Sequence, residues 1–239
     1  MTSVLITRAE PDASEFAAEC RLRGLDPVIS PVMRIEIEKT EPDLSDVGAL
    51  AFTSVNGVRA FAANSPERSL PVFAVGPVTA AAATAAGFQQ IGVAGGDVHA
   101  LTDHIAAESA LLDKAILHIA GADRAGDLVA MLGARGVAAR RQTLYHAKAE
   151  DMLSAEAVAA LKGEPCLWVT LFSPRTATLF LALAEKAGLT AQISRARALC
   201  LSAAVAQAAS AVIWSETVVA SDLTAQGMLE TITGGASRA

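Results

Sequence analysis

Short apolar runs alternate with segments of helical spacing along this chain. Residues 4–7 form a short apolar run, and residues 10–23 follow with Phe16 and Cys20 on or near one helical face. Gly24 is a stop signal, and residues 26–30 form a second apolar run. The start of the chain therefore predicts a strand, a helix and a second strand.

The same alternation continues to the end of the chain. Further strands are predicted at residues 50–53, 72–75, 90–93, 115–119, 138–144, 167–171, 198–201 and 211–214, and further helices at 56–63, 78–86, 98–107, 124–135, 154–161, 175–187, 203–208 and 223–231. Continuous apolar strands between helices are typical of parallel sheets that are covered on both faces. Ten strands are many for one sheet, so we predict an α/β protein with two similar, doubly wound (flavodoxin-like) sheets of five strands each.

Internal similarity supports two related lobes. Arg23-Gly24 follows the strand at Val4 at the same spacing of 19 residues by which Arg135-Gly136 follows the strand at Ile116. A plain tandem duplication would place the lobe boundary near residue 112, and an arrangement with exchanged strands is the alternative.

Two segments favour the exchanged arrangement. Residues 31–38 and 143–150 alternate apolar and polar side chains and occupy matching places in the two repeats. Paired antiparallel, they would form a two-stranded connector made of residues 32–38 and 144–148. Lobe 1 would then contain residues 1–31 and 149–239, lobe 2 would be the inserted residues 39–143, and the active site would lie in the cleft between them.

Composition and charge exclude several classes of protein. Apolar residues make up 52% of the chain and charged residues 18%, which argues against disorder. A net charge of −6 without a run of Lys and Arg argues against a nucleic-acid partner. No apolar stretch is long enough for a transmembrane helix, and the N-terminus lacks the pattern of a signal peptide. We therefore expect no membrane partner, a cytoplasmic location and, without a heptad or a large apolar patch, a monomer.

Five segments, in this order and spacing, resemble the uroporphyrinogen-III synthase family. They are LITRAEP at 5–11, AFTSVNGVRAF at 51–61, AVGPVTA at 74–80, the strand around Tyr145 and LFSPRTA at 171–177. The resemblance runs across nearly the whole chain. It implies a lyase of tetrapyrrole (haem and porphyrin) biosynthesis that closes hydroxymethylbilane to uroporphyrinogen III, with inversion of the last pyrrole ring and loss of water. It implies no metal and no organic cofactor, and it allows a transient hand-over of substrate from the preceding pathway enzyme.

Small and polar residues follow the ends of the predicted strands, where helix N-termini can bind the carboxylates of such a substrate. The candidate substrate-binding residues are Arg8, Thr53, Ser54, Asn56, Gly57, Gly76, Pro77, Gly121, Arg124, Ser173, Pro174 and Ser202. Among cations, Arg8 is preferred, with Arg59, Arg124 and Arg175 in reserve.

Each candidate also has a purely structural explanation. The Ser and Asn residues open helices, so capping alone explains them, and the glycines permit tight turns. Arg8 has Glu10 and Asp12 within reach as ion-pair partners. Residues 201–204 read Leu-Ser-Ala-Ala where the family has Gly-Pro-Thr-Thr, so hydroxyls near the substrate are lost there and Ser202 is the available substitute.

Tyr145, the only tyrosine, is the candidate catalytic residue. The resemblance implies that it assists departure of the substrate hydroxyl, whereas the residues alone favour a ring that packs in a half-exposed strand. The four histidines show no metal-ligand spacing, and Cys20, Cys166 and Cys200 are predicted to be buried, reduced thiols. The residues alone also leave open a second class, a non-catalytic two-lobe small-molecule-binding or regulatory protein.

Overall fold

The computed structural model describes residues 2–108, 114–122, 127–163 and 167–235. Residue contacts divide the chain into two compact units. Unit 1 comprises Met1–Arg34 and Lys148–Ala239, and unit 2 comprises Ile35–Ala147. The polypeptide therefore leaves unit 1, completes unit 2 and returns.

The described elements alternate strand and helix through most of the chain. In order they are β1 (Ser3–Ile6), α1 (Asp12–Leu22), β2 (Asp26–Ile29), β3 (Met33–Ile37), β4 (Val47–Phe52), α2 (Val55–Asn64), β5 (Val72–Ala74), α3 (Pro77–Ala85), β6 (Ile91–Val93), α4 (Val98–Glu108), β7 (Ala115–Gly121), α5 (Leu128–Gly133), β8 (Ala139–Ala149), α6 (Ala155–Gly163), β9 (Trp168–Leu171), α7 (Pro174–Lys186), α8 (Thr190–Ile193), β10 (Arg197–Cys200), α9 (Ala203–Ala209), β11 (Glu216–Val219) and α10 (Ala225–Gly235).

The sheet of unit 1 has the strand order β11-β10-β9-β1-β2, and every neighbouring pair is parallel. Successive side chains of each strand enter opposite cores, because strand residues alternate in direction. Leu5 joins the core beneath α6, α7 and α9, whereas Val4 and Ile6 join the core beneath α1 and α10. The apolar strands are thus buried on both faces, which is the reason for their continuous hydrophobic runs.

The sheet of unit 2 has the order β3-β8-β7-β4-β5-β6. Its five strands β8 to β6 are parallel, with one core beneath α2 and α3 and a second beneath α4 and α5. The edge strand β3 runs antiparallel to β8. Two hydrogen bonds show this direction: the Glu38 amide donates to the Leu144 carbonyl, and the Glu150 amide donates to the Val32 carbonyl. The segment predicted as the first connector strand is thus a sixth strand of this sheet, beside the five parallel strands that the sequence predicted.

The strands of the two sheets have corresponding positions in space, although they occur in a different order along the chain. Read from one edge, β2-β1-β9-β10-β11 in unit 1 corresponds to β8-β7-β4-β5-β6 in unit 2. In both, the order reverses beside the second strand listed, which is the topological switch point of a flavodoxin-like sheet. The prediction of an α/β protein with doubly wound parallel sheets is confirmed.

The structure differs from the predicted elements at two places, and a third prediction is tested only in part. The strand predicted at 211–214 is wrong, because the Trp214 indole turns back to donate to the Ala209 carbonyl (2.9 Å) and stacks on Phe180, and the strand begins only at Glu216. The short helix α8 was not predicted. Of the helix predicted at 124–135, Leu128–Gly133 is observed, and residues 123–126 lie outside the described part of the chain.

The loop between α2 and β5 is held by one arginine. The Arg68 guanidinium donates to the carbonyls of Ala86 (2.6 Å), Ser65 (2.8 Å) and Glu67 (2.6 Å). The guanidinium carbon, Cζ, lies 5.1 Å from the ring centroid of Phe88, which is buried in the core beneath α2 and α3. One planar side chain thus satisfies loop carbonyls and covers an aromatic core residue.

We predict that Arg68→Ala lowers the free energy of unfolding by about 2 kcal/mol, because several partly buried carbonyls lose a charged donor. Arg68→Lys should recover less than half of this loss, since an ammonium group cannot reproduce the fork. Urea denaturation measures both. The control is Arg135→Ala, which removes only an exposed ion pair with Asp103 and should cost less than about 1 kcal/mol. Equal effects at Arg68 and Arg135 would contradict the assignment.

Candidate active site

The switch point of unit 2 lies where β4 and β7 end side by side. The two strands pair in parallel, with Phe52 opposite Ile119. The chain leaves β4 through Thr53 and Ser54 into α2, on one face of the sheet, and the segment after β7 leads to α5 on the other face. Ligands of open α/β sheets bind outside the carboxyl ends of the strands at such points.

A register shift in β8 brings Tyr145 to this point. Ala120 pairs with Thr143, but the next residue, Gly121, pairs with Tyr145, so β8 carries one extra residue, Leu144. Such a bulge re-aims side chains. As a result, both Leu144 and Tyr145 pack on the core beneath α2 and α3, although strict alternation would place them on opposite faces.

Tyr145 is joined by hydrogen bonds to the start of α2. Its Oη lies 2.8 Å from Ser54 Oγ, and either oxygen can be the donor. Ser54 is the N-cap of α2, and its Oγ accepts the Gly57 amide at 3.1 Å. The residue therefore caps the helix and holds the tyrosine with the same oxygen.

Two of the predicted glycines are required by close packing. A Cβ on Gly121 would lie 2.7 Å from Tyr145 Cε2, and a Cβ on Gly57 would lie 3.0 Å from the Ile119 carbonyl oxygen. Both distances are too short for a side chain to fit without displacement of its neighbours. The absence of a side chain at Gly121 lets the Tyr145 ring lie directly against the β7 backbone.

Thr53 contacts a buried histidine. His118 lies on β7 opposite Ala51 and is 7% exposed, and its Nε2 is 3.1 Å from Thr53 Oγ1. Burial, with a contribution from the Arg141 charge, lowers the pKa of His118 from 6.5 to about 4, against an opposing effect of Asp127. The imidazole is therefore uncharged at neutral pH.

The described candidates of unit 2, Asn56, Gly76 and Pro77, lie nearby in the fold. Asn56 is half-buried in the first turn of α2. Gly76 is the N-cap of α3 and Pro77 its first residue, at the end of β5 beside β4, and a Cβ on Gly76 would meet the Gly96 backbone at 3.4 Å. Arg124 lies outside the described residues.

The switch point of unit 1 lies between β1 and β9. Thr7 Oγ1 donates to the Thr170 carbonyl (2.6 Å), and Thr170 Oγ1 donates to the Leu5 carbonyl (3.0 Å), so the two strand ends are tied together. Beyond them, Arg8 forms an ion pair with Asp12 (2.7 Å) and lies 4.8 Å from the Phe172 ring centroid. The predicted cation is therefore present but already paired.

The two candidate substrate-binding serines of unit 1, Ser173 and Ser202, cap helices. Ser173 forms a capping box with Thr176 at the start of α7, where Pro174 is the first helical residue. Ser202 caps α9 and accepts the Val205 amide at 3.4 Å. Strands β9 and β10 are adjacent, so both caps lie at the same edge of the sheet.

The sequence did not single out His118 or Arg141 as site residues. Arg141 pairs with His118 across β7 and β8, and its guanidinium donates to the Gly121 carbonyl. The parallel register that brings these residues to the end of β4 has no signal in the local sequence. A histidine in an otherwise apolar strand was the available hint.

Other kinds of site receive no support from the described residues. Cys20 and Cys200 are free and buried, and burial raises the pKa of each thiol to about 11, so neither is a thiolate at neutral pH. Cys166 lies outside the described residues. Among described residues, no group of three or more His, Cys, Asp and Glu could hold a metal ion. No described helix is both long and apolar enough to cross a membrane.

Known structures support the fold. Uroporphyrinogen-III synthetase from Helicobacter pylori is 17% identical over 98% of this chain and 99% of its own, with a TM-score of 0.68. A mutant uroporphyrinogen III synthase from the extremely thermophilic bacterium Thermus thermophilus is 18% identical over the full length of both chains, with a TM-score of 0.54. No curated protein matches the sequence.

The family follows from the sequence. The family model described as "HEM4: Uroporphyrinogen-III synthase HemD" matches residues 14–230, which cover most of both units. The prediction of a lyase that cyclises hydroxymethylbilane in tetrapyrrole biosynthesis is confirmed by this match. The chain belongs to the uroporphyrinogen-III synthase family.

Proposed function

We propose that this chain makes uroporphyrinogen III from hydroxymethylbilane with Tyr145 as the proton donor to the departing hydroxyl. The observation that carries the proposal is the 2.8 Å contact between Tyr145 Oη and Ser54 Oγ at the switch point of unit 2. It ties the only tyrosine of the chain to the N-terminus of a helix.

The direction of these hydrogen bonds allows Tyr145 to act as a proton donor. The Gly57 amide donates to Ser54 Oγ, and the Ser54 hydroxyl then has its proton available for Tyr145 Oη. Tyr145 in turn has its own proton available for a substrate oxygen. A hydrogen-bond chain that begins at the positive end of α2 polarises each successive hydroxyl in the same sense.

The reaction needs few protein groups. Protonation of the substrate hydroxyl breaks its carbon–oxygen bond, releases water and leaves an azafulvene cation that the pyrrole nitrogen stabilises. The substituted carbon of the last ring then attacks this cation to form a spiro intermediate, whose rearrangement and proton loss give the inverted ring. The protein chiefly holds the reactive chain in one conformation, with one acid at the leaving group.

The substrate is a polycarboxylate, whereas the chain carries a net charge of −6. We propose that neutral donors at the strand ends bind its carboxylates, namely the side chains of Thr53, Asn56, Ser173 and Ser202 and the backbone amides that follow Pro77 and Pro174, with Gly57, Gly76 and Gly121 beside them. Helix N-termini bind carboxylates without added positive charge. Arg8 contributes less than a free cation would, because Asp12 already neutralises it.

The division of the chain into two units supports the inserted-lobe arrangement of residues 1–31 with 149–239 and 39–143. We propose that residues 32–38 and 144–148 connect the two lobes. We also propose that the protein acts as a cytoplasmic monomer that receives its unstable substrate by transient hand-over from the preceding enzyme.

We predict that the purified protein converts hydroxymethylbilane to uroporphyrinogen III in the absence of added metal or cofactor. Products are oxidised and isomers I and III separated by chromatography. Formation of isomer I alone, at the rate of the protein-free control, would contradict the proposed function.

We predict that Tyr145→Phe lowers kcat by about a hundredfold or more, since a positioned general acid contributes on the order of a hundredfold to ten-thousandfold. The variant keeps the ring that packs on the core, so its thermal unfolding midpoint should stay close to that of the wild type. An unchanged kcat would remove Tyr145 from the role of proton donor.

We predict that Gly121→Ala lowers kcat by about tenfold or more, because a Cβ 2.7 Å from Tyr145 Cε2 must displace the ring from the substrate. The matched control is Gly133→Ala in α5, where no described atom outside the neighbouring backbone of its own helix lies within 4 Å of an added Cβ. Steady-state kinetics compare the two. If both variants turn over like the wild type, the position of the ring does not matter for the reaction.

A further inference from the structure

We infer that His118 is a positioning residue for the substrate, because its Nε2–H donates to Thr53 Oγ1 and leaves the Thr53 hydroxyl proton for a carboxylate oxygen. The inference rests on the proposed function and assigns a role to a residue that lies outside the tyrosine chain. It concerns the sheet face opposite to that of Tyr145.

The geometry places His118 directly behind Thr53. His118 is paired with Ala51 on β4, and Thr53, two residues later, points to the same face of the sheet. The imidazole Nε2 lies 3.1 Å from Thr53 Oγ1, within hydrogen-bond distance. The neighbouring Ser54 bonds instead to Tyr145 on the other face. The turn after β4 thus carries two adjacent hydroxyls, those of Thr53 and Ser54, and each is within hydrogen-bond distance of one ring side chain.

The histidine is uncharged, so it carries one ring proton. It is 7% exposed and lies in the layer of the sheet that faces α4 and α5. The charged groups that act on it are Arg141, its partner on β8, which opposes protonation, and Asp127 at the start of α5, which favours protonation. Burial outweighs the carboxylate and keeps the ring neutral.

The hydrogen-bond partners of the two ring nitrogens decide which nitrogen holds the proton. His118 Nδ1 is buried and has no hydrogen-bond partner among the described residues. A proton at Nδ1 would be a buried donor left without an acceptor, whereas a proton at Nε2 has Thr53 Oγ1 as its acceptor. The proton therefore resides on Nε2, and Thr53 Oγ1 accepts it.

A threonine hydroxyl has one donor and two acceptor positions. Because Thr53 Oγ1 accepts from His118, its own proton points away from the imidazole. Thr53 is half-buried and lies at the carboxyl end of β4, where ligands of such sheets bind. A carboxylate is the matching acceptor, so the pair contributes to substrate binding and leaves proton transfer to Tyr145.

The tautomer can be tested without substrate. Two-bond proton–nitrogen correlation spectra of protein labelled with ¹⁵N-histidine show which ring nitrogen carries the proton. The His118 signals are assigned by their loss in His118→Phe. We expect the Nε2–H form with no titration between pH 5 and 8, since the pKa is about 4. A Nδ1–H form, or titration near neutral pH, would overturn the inference.

Kinetics test the role. His118→Phe and Thr53→Val should each raise KM about tenfold with kcat within about twofold, the pattern for loss of one binding hydrogen bond to a charged group. The double variant should be no worse than Thr53→Val alone, because His118 acts on the substrate only through the Thr53 hydroxyl. His118→Gln carries an amide N–H near the position of Nε2 and should restore KM to within about threefold of the wild type.

Three outcomes would overturn the assignment. They are a wild-type KM in His118→Phe, additive losses in the double variant, and a wild-type bend near pH 6.5 in kcat/KM that disappears in His118→Phe, which would make His118 a general acid or base. Circular dichroism and urea denaturation confirm that each variant is folded. If the wild type itself forms no isomer III, the proposed function fails and this inference falls with it. If the wild type forms isomer III while the His118 variants keep its KM, only this inference fails.

Discussion

The extra residue in β8 is the constraint on which the candidate site of unit 2 depends. Without the register shift between Ala120 and Gly121, Tyr145 would point away from the core that holds its neighbour Leu144. With the shift, the phenol reaches the cap of α2 and packs closely against Gly121. Ser54 then fixes the phenol oxygen and the helix end together, so the site is organised before any ligand arrives.

At the strand ends where we propose that the carboxylates bind, the described groups are mostly neutral hydrogen-bond donors. Arg8 is held by Asp12, and the Arg141 guanidinium donates to a backbone carbonyl, while serine and threonine hydroxyls and helix N-termini occupy the strand ends. A neutral donor binds a carboxylate through a hydrogen bond, whose strength depends on its direction as well as on the partial charge of the donor. A reaction whose outcome depends on the conformation of the substrate benefits from such directional contacts more than from a diffuse positive field.

The sequence predicted the fold class, most of the elements and the residues at the strand ends, because continuous apolar runs, helix caps and strand-end glycines leave strong local patterns. It did not predict the bulge at Leu144, since period-two alternation assigns Leu144 and Tyr145 to opposite faces. Nor did it predict the contact of Thr53 with His118, which depends on the register of β4 against β7, strands separated by more than sixty residues. The misplaced last strand has the same origin, because the contact of Trp214 with Phe180 is tertiary.

The order of the strands in the chain also bears on how the protein is made. All strands of unit 2 have been synthesised once Ala149 is added, and that sheet can then pair completely. In unit 1, β1 and β2 are made first, but β1 lies in the interior of its sheet and waits for β9, which begins at Trp168. During translation β1 therefore waits longer for its second neighbour than any other described strand, and its protection until then falls to α1, β2 or a chaperone.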